Sequence, residues 1–360
     1  MLFRSATHGE TSFEVLGSGD GQAIHHRFSL KKPPLTYTTA ANARGSESTL
    51  QVRVDGVLWK EASSLYGVPP SGQAYILRLQ DDATTDVIFG DGTRGARLPS
   101  GQENITATYR SGMGSLGNVP KESLSILKTK PLGIAEVTNL LPATGGTDRE
   151  TLQEAQQNAP PTTQNLGRIV SLHDFESFAQ GYVGIGKAQA RALWTGSGQF
   201  IHITIAGSNG EEVAQSSPLY QSLQQAMDMA RDPSHEVAMA TYQKLYFNLE
   251  ARVLISPDAL ADVVRDMLVK RLDEYFSFSS RNFGQPVTSS EVFSILQQPA
   301  EVSAVDLDAL YVDGHDRRLN HSLPALTARY SPASPSEVIL PAQLLLLNRN
   351  GLKIIFVPSL

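Results

Sequence analysis

The chain contains no cysteine, which excludes thiol catalysis, zinc–thiolate sites, iron–sulfur clusters and disulfide staples together. It is also poor in charge, at 18%, and in aromatic residues, at 7%. Thirty Lys and Arg stand against 36 Asp and Glu, a net charge of -6. That is the wrong sign for a surface that neutralises many phosphates or lies on an anionic leaflet. Long apolar runs are missing: stretches such as Leu344 to Leu347 and Ile354 to Val357 fall far short of the roughly 20 residues needed to span a bilayer. The N-terminal MLFRSATHGETSF lacks the apolar core of a secretory signal. The expectation is a protein made in the cytoplasm, with no nucleic-acid partner and no direct membrane insertion. What is present is 360 residues, 41% of them hydrophobic, enough for two or three domains with cores of their own.

Apolar and polar residues alternate along Leu50 to Arg110, the period of half-buried strands. Turn chemistry separates the runs at Asp55-Gly56, Pro69 to Gly72, Gly90 to Gly92 and Pro99 to Gly101. Phe28 to Leu30 and Leu35 to Thr39 read as poor edge strands, and the first twenty residues show no period. Residues 112–162 are a Gly- and Pro-rich connection. Beyond them Ser171 and Asp174 open a helix that Gly181 closes, and Ala188 to Ala192 and Ile201 to Ile205 form a hairpin. Ser217-Pro218 starts a second helix, Phe247 to Ile255 is a strand with Asn248, Glu250 and Arg252 facing out, and Ser256-Pro257 caps a third helix. A short helix at Ser289 to Leu296 and a strand through Val305, Leu307 and Ala309 follow. The tail reads as an apolar hairpin, Leu344 to Leu347 and Leu352 to Val357 around Asn348 to Gly351. The expected class is α+β: an all-β module at 1–111, the connection at 112–162, small α/β (split βαβ-like) layers at 163–243 and 244–330, and a C-terminal hairpin at 331–360.

No stretch supplies a reaction centre. Gly181 to Lys187 has the spacing of a phosphate loop, but Ala188 replaces the metal-binding hydroxyl, and the loop leaves a helix to enter a strand, the reverse of what phosphate binding requires. His235-Glu236 begins a zinc-protease motif in which Met239 replaces the second imidazole. His25 and His26 point to opposite faces of an extended chain, His202 alternates with isoleucines as a solvent-facing strand residue, and His315 and Asp316 lie in a polar loop. Asp306, Asp308 and Asp313 start with a calcium-loop spacing that Leu310, Tyr311 and Arg317 break. Asp91, in a tight turn, is the best carboxylate for a glycosidase reading, and no nucleophile elbow occurs. The expectation is a non-enzyme without catalytic residues, cofactor or metal.

Several blocks carry a resemblance. Leu50 to Glu61, Val87 to Gly101 (VIFGDGTRGARLPSG), Asn104 to Gly114, Gly117-Asn118-Val119, Val137 to Glu150, Ala159-Pro160, Arg168 to Glu176 and Asn282 to Val292, in this order, resemble the phage baseplate J-like family and the baseplate assembly proteins of contractile injection systems. The resemblance runs from about Leu50 to Leu310. It implies a structural wedge subunit of a phage-tail-like particle, linking wedges around the central spike and coupling baseplate rearrangement to sheath contraction. Its implied partners are other wedge subunits (a second J-like subunit and a small lysozyme-like-fold wedge protein), the spike or hub, and neighbouring copies in a six-fold ring. Members of the family usually carry a further N-terminal region that enters a helical bundle, whereas this sequence starts almost at the β-module. The alternative reading is a carbohydrate-binding or glycan-cleaving tail module, against which the sequence offers only Trp59 and Trp194 as tryptophan platforms.

Overall fold

The alternating residues of the N-terminal region become strands because each run can bury one face and leave the other wet. The computed structural model describes residues 8–24, 26–42, 45–127, 132–134, 136–143, 145–148, 168–195, 198–331 and 338–357. His25, Arg149-Glu150, Ala159-Pro160, the Gly196-Ser197 turn, Pro332 and Pro335 lie outside these residues. The chain divides into two compact units, Met1–Ala155 and Gln156–Leu360.

The first unit holds β1 (Glu10–Gly19), β2 (Arg27–Ser29), β3 (Tyr37–Thr39), β4 (Ser46–Ser48), β5 (Gln51–Val54), β6 (Val57–Leu58), β7 (Lys60–Glu61), β8 (Ala74–Leu79), β9 (Thr85–Phe89) and β10 (Gly101–Ser111). Two four-stranded sheets, ordered β1-β10-β5-β6 and β2-β9-β8-β7, share one core. Val52, Val54, Ile105, Ala107 and Tyr109 enter it from the first sheet and Tyr75, Val87 and Phe89 from the second. The Trp59 ring stands edge-on to Phe89 at 5.5 Å.

β1 corrects the reading of a patternless N-terminus. It pairs antiparallel with β10 along most of its length, with register shifts around Gly17. Its polarity is inverted: Ser12 is buried while Phe13 is 69% exposed, and Glu14 is held inside by the Tyr109 hydroxyl, which donates to it at 3.1 Å. An apolar residue outside and polar residues inside erase the alternation that marks a strand.

The second unit holds α1 (Leu172–Gln180), β11 (Ile185–Trp194), β12 (Gln199–Gly207), α2 (Pro218–Ala230), β13 (Val237–Thr241), β14 (Gln243–Ile255), α3 (Ala261–Tyr275), β15 (Val287–Thr288), α4 (Ser289–Gln297), β16 (Val302–Val312), β17 (Ser322–Leu323), β18 (Arg329–Ser331), β19 (Val338–Leu340) and β20 (Gln343–Val357). The class is α+β, as expected. β12 is antiparallel to β11 and parallel to β13, and β14 is antiparallel to β16 and parallel to β20, so both three-stranded sheets are mixed.

Local signals set the helices. Ser171 and Asp174 form a reciprocal capping box on α1, Thr288 and Glu291 another on α4, and the Ser217 hydroxyl accepts from the Tyr220 amide at the start of α2, each cap contributing about 1 kcal/mol. α1 and α2 bury Phe175, Phe178, Leu223 and Met227 against Ile201, Ile203 and Ile205. α3 and α4 bury Val264, Leu268, Leu272, Val292 and Leu296 against Phe247, Leu249, Ala251 and Val253.

Five details differ from the sequence reading. The strand β13 was not expected, because its Val-Ala-Met-Ala-Thr run has no alternation. α3 starts at Ala261, not at Ser256-Pro257, whose residues form a turn closed by the Ala259 amide donating to the Ser256 carbonyl at 3.0 Å. The tail is one strand rather than a hairpin. Leu347 pairs with Phe247 and Leu352 with Leu249, so the Asn348 to Gly351 segment bulges opposite Asn248. Its turn chemistry serves that bulge: Asn348 Nδ2 donates to Asn248 Oδ1 at 2.9 Å, and a Cβ at Gly351 would fall 1.8 Å from the same oxygen. Asn248 and Glu250 sit opposite the helix-facing residues, yet they are buried by side chains of the flanking strands. His202 is 1% exposed, because the face of β12 away from α1 and α2 is itself covered. There the Ala342 amide donates to Thr204 Oγ1 at 3.1 Å, and Ala206 packs with Tyr242, Phe283 and Leu344.

Candidate functional site

The charged residues singled out in the sequence pair with other side chains of the chain. Glu250 accepts from Arg317 Nη2 at 2.8 Å and from Lys353 Nζ at 3.1 Å. These bonds hold its carboxyl at about 2 against the opposing effect of burial. Asp306 and Asp308 both pair with Arg252, and Asp313 accepts from Asn248 at 3.0 Å. Among the described residues no group of three or more His, Asp or Glu could hold a metal ion.

The other candidates have equally local work. Asp91 Oδ1 accepts from the amides of Thr93 and Arg94 at 2.8 and 2.7 Å, which closes the turn between Gly90 and Gly95. A Cβ at Gly90 would lie 2.4 Å from the Gly95 carbonyl carbon, and Gly92 takes φ +85°, so the GDG sequence answers to a turn that side chains cannot make. The loop from Gly181 leaves α1 and enters β11. Its Lys187 donates to the Ser279 carbonyl at 3.1 Å and lies 5.4 Å over the Phe278 ring, and burial lowers its pKa. His235 precedes β13 in a turn, and His315 Nδ1 lies 3.4 Å from the Asp313 carbonyl oxygen. Trp59 is buried in the core and Trp194 is exposed at the end of β11, so the two tryptophans do not share a platform.

Two surfaces have features that internal packing does not explain. In the first unit, residues after β10 fold back on themselves. The Ala143 amide donates to the Val119 carbonyl and the Glu122 amide to the Asn139 carbonyl, at 2.9 and 2.8 Å. Their base is latched by two glycine blocks: Asn118 and Gly146 exchange hydrogen bonds at 2.7 and 2.8 Å, Ser115 donates through its amide and its hydroxyl to Asp148, and a Cβ at Gly146 would lie 2.0 Å from the Gly114 carbonyl. Beyond this base Leu124, Ile126, Leu132 and Ile134 point to solvent, Ile126 at 87% exposure. In the second unit α3 and β20 flank a cavity of about 560 Å³ beside Arg265, Val269, Arg349 and Lys353. The sequence held both glycine blocks and the apolar residues between them, but their mutual contact is tertiary and carries no local signature.

The comparisons bear on the α1-to-β13 layer. Residues 167–240 match the family described as Baseplate J-like central domain. Among solved structures, the chain is similar to one in the "Cryo-EM structure of the anti-feeding prophage (AFP) baseplate, 6-fold symmetrised". The identity is 15% and the TM-score 0.37, over 95% of this chain and 77% of that one. No curated protein matches the chain in sequence. The matched residues are those that build α1, β11, β12, α2 and the start of β13 around one apolar core. These residues are thus similar to a baseplate J-like central domain.

Proposed function

We propose that this chain is a structural subunit of the baseplate of a phage-tail-like contractile injection system. In this reading it links wedges around the central spike and passes baseplate rearrangement on to sheath contraction. The observation that carries the reading is the match of residues 167–240 to the baseplate J-like central domain. It is supported by the exposed apolar residues of the latched excursion, which a solitary soluble protein has no reason to hold in water. Its charged clusters pair with one another, which suits a subunit that acts through its surfaces and not as an enzyme. The proposed neighbours are other wedge subunits, the spike or hub and further copies in a six-fold ring, and the finished particle is where the chain resides.

Affinity purification of the full chain from its source cells, with chemical cross-linking and mass spectrometry, tests this. Cross-links from Lys121 and Lys353 to other tail components are expected. Recovery of the chain alone, as a monomer with no tail component attached, would overturn the reading.

A further inference from the structure

β20 is bonded to β14 along one side and meets no strand on the other among the described residues. At its start the outer backbone of Gln343 accepts from Gly284 and donates to Leu326. From Leu352 to Val357 the outer amides and carbonyls have no backbone partner among the described residues. Native proteins blunt such edges by shortness, proline, charge or a covering loop. This strand is 15 residues long, lacks proline, and leaves Ile355 and Val357 exposed at 56% and 39%.

The charged side chains lining the cavity beside the edge are all cations, each already within ion-pair distance of a carboxylate outside that lining. Arg265, Arg349 and Lys353 line the cavity between α3 and β20, and no carboxylate lines it. Arg349 and Lys353 are paired from beneath, with Asp273 and Glu250, but their side chains remain 74% and 63% exposed. A guanidinium has five N–H donors and an ammonium three, so both have capacity for a second carboxylate from outside. A second copy of the chain is a poor occupant, because it brings the same three cations to the same edge, and like charges across a strand pair repel.

We propose that the free edge from Leu352 to Val357 accepts an extended acidic segment of another polypeptide as an added β-strand. The backbone of that segment supplies the ladder bonds. Because side chains alternate along a strand, its carboxylates face Arg265 and Arg349 on the helix side and its apolar side chains lie beside Ile355 on the open side. The proposal stands on the edge and its charges and is independent of the baseplate reading.

Fluorescence anisotropy with a short labelled peptide of alternating valine and glutamate tests it on the full chain. The expected dissociation constant is below about 1 mM. At least a tenfold loss is expected for a valine–lysine peptide, for the valine–glutamate peptide N-methylated at alternate amides, and for the Arg265→Gln/Arg349→Gln variant. The two peptide controls use the unaltered protein, so they decide the matter even where the variant folds poorly. Absence of binding at 1 mM overturns the proposal, as does equal binding of the N-methylated peptide, which means contact with the groove without strand addition. A concentration-dependent dimer in sedimentation that Ile355→Lys abolishes also overturns it, since the occupant is then a second copy.

Discussion

Arg281, 1% exposed, holds its guanidinium 2.7 Å from Glu291 Oε1, and the other oxygen of Glu291 accepts from the Thr288 amide at the N-terminus of α4. The same guanidinium donates to the Pro286 carbonyl at 2.5 Å and lies 5.3 Å over the Phe276 ring. One side chain therefore ties the end of α3 to the start of α4 through the Asn282 to Val292 block. Gly284, at φ +71°, lets that block turn closely past Thr327.

Arg281→Met should lower stability by roughly 3–5 kcal/mol, because it leaves a carboxylate and a carbonyl unmatched in the interior. Glu291→Gln should cost less, since the amide oxygen can still cap the helix. Urea denaturation of both variants and the double variant should give a coupling energy above about 1 kcal/mol; additive losses would show that the pair does not act as a unit.

Glu250 sets an acid limit on the second unit. Its carboxyl is held at about 2 from an ordinary 4.5, chiefly by Arg317 and then Lys353. Its contribution is therefore complete above pH 4.5 and lost as pH falls toward 2. Because both cations are more than half exposed, the loss should be about 1–3 kcal/mol. Denaturation midpoints of Glu250→Gln measured across this range should fall less steeply than those of the unaltered protein.

His202 acts in a higher window. Burial lowers its pKa from 6.5 to about 4, so the neutral ring is favoured in the folded state. The associated stability is present above pH 6.5 and is lost as pH drops through 4, by up to about 3 kcal/mol. His202→Leu should flatten the stability profile between these values, whatever it does to stability at neutral pH. An unchanged slope would mean that water reaches the ring.

Gly146→Ala should open the latch, since the new Cβ meets the Gly114 carbonyl at 2.0 Å. Faster tryptic cleavage at Lys121 is expected, by several-fold, with no change in the unfolding of the second unit. Cleavage at the unaltered rate would show that the glycine blocks do not hold the excursion's base.

Where structure is local, the sequence announces it. The Ser171–Asp174 and Thr288–Glu291 boxes, the Ser217-Pro218 start and the β11–β12 alternation all act over three or four residues. β1 was hidden because its inward residues are the polar Ser12 and Glu14, the second held by Tyr109 far along the chain. β20 was misread because Asn348 to Gly351 has the composition of a turn, and only the pairing with β14 shows it to be a bulge. His202 looked exposed because the residues that cover it, near 283 and 342, lie far along the chain. The candidate surfaces were the least legible, since exposure of Ile126 or a free edge at Ile355 is a property of the folded neighbours and not of the local pattern.

Electron microscopy of contractile particles made by source cells with and without this chain tests the central claim most directly. A subunit that works by docking predicts sheaths and tubes without a proper baseplate when the chain is missing. Intact baseplates and normal contraction in its absence would contradict a structural role.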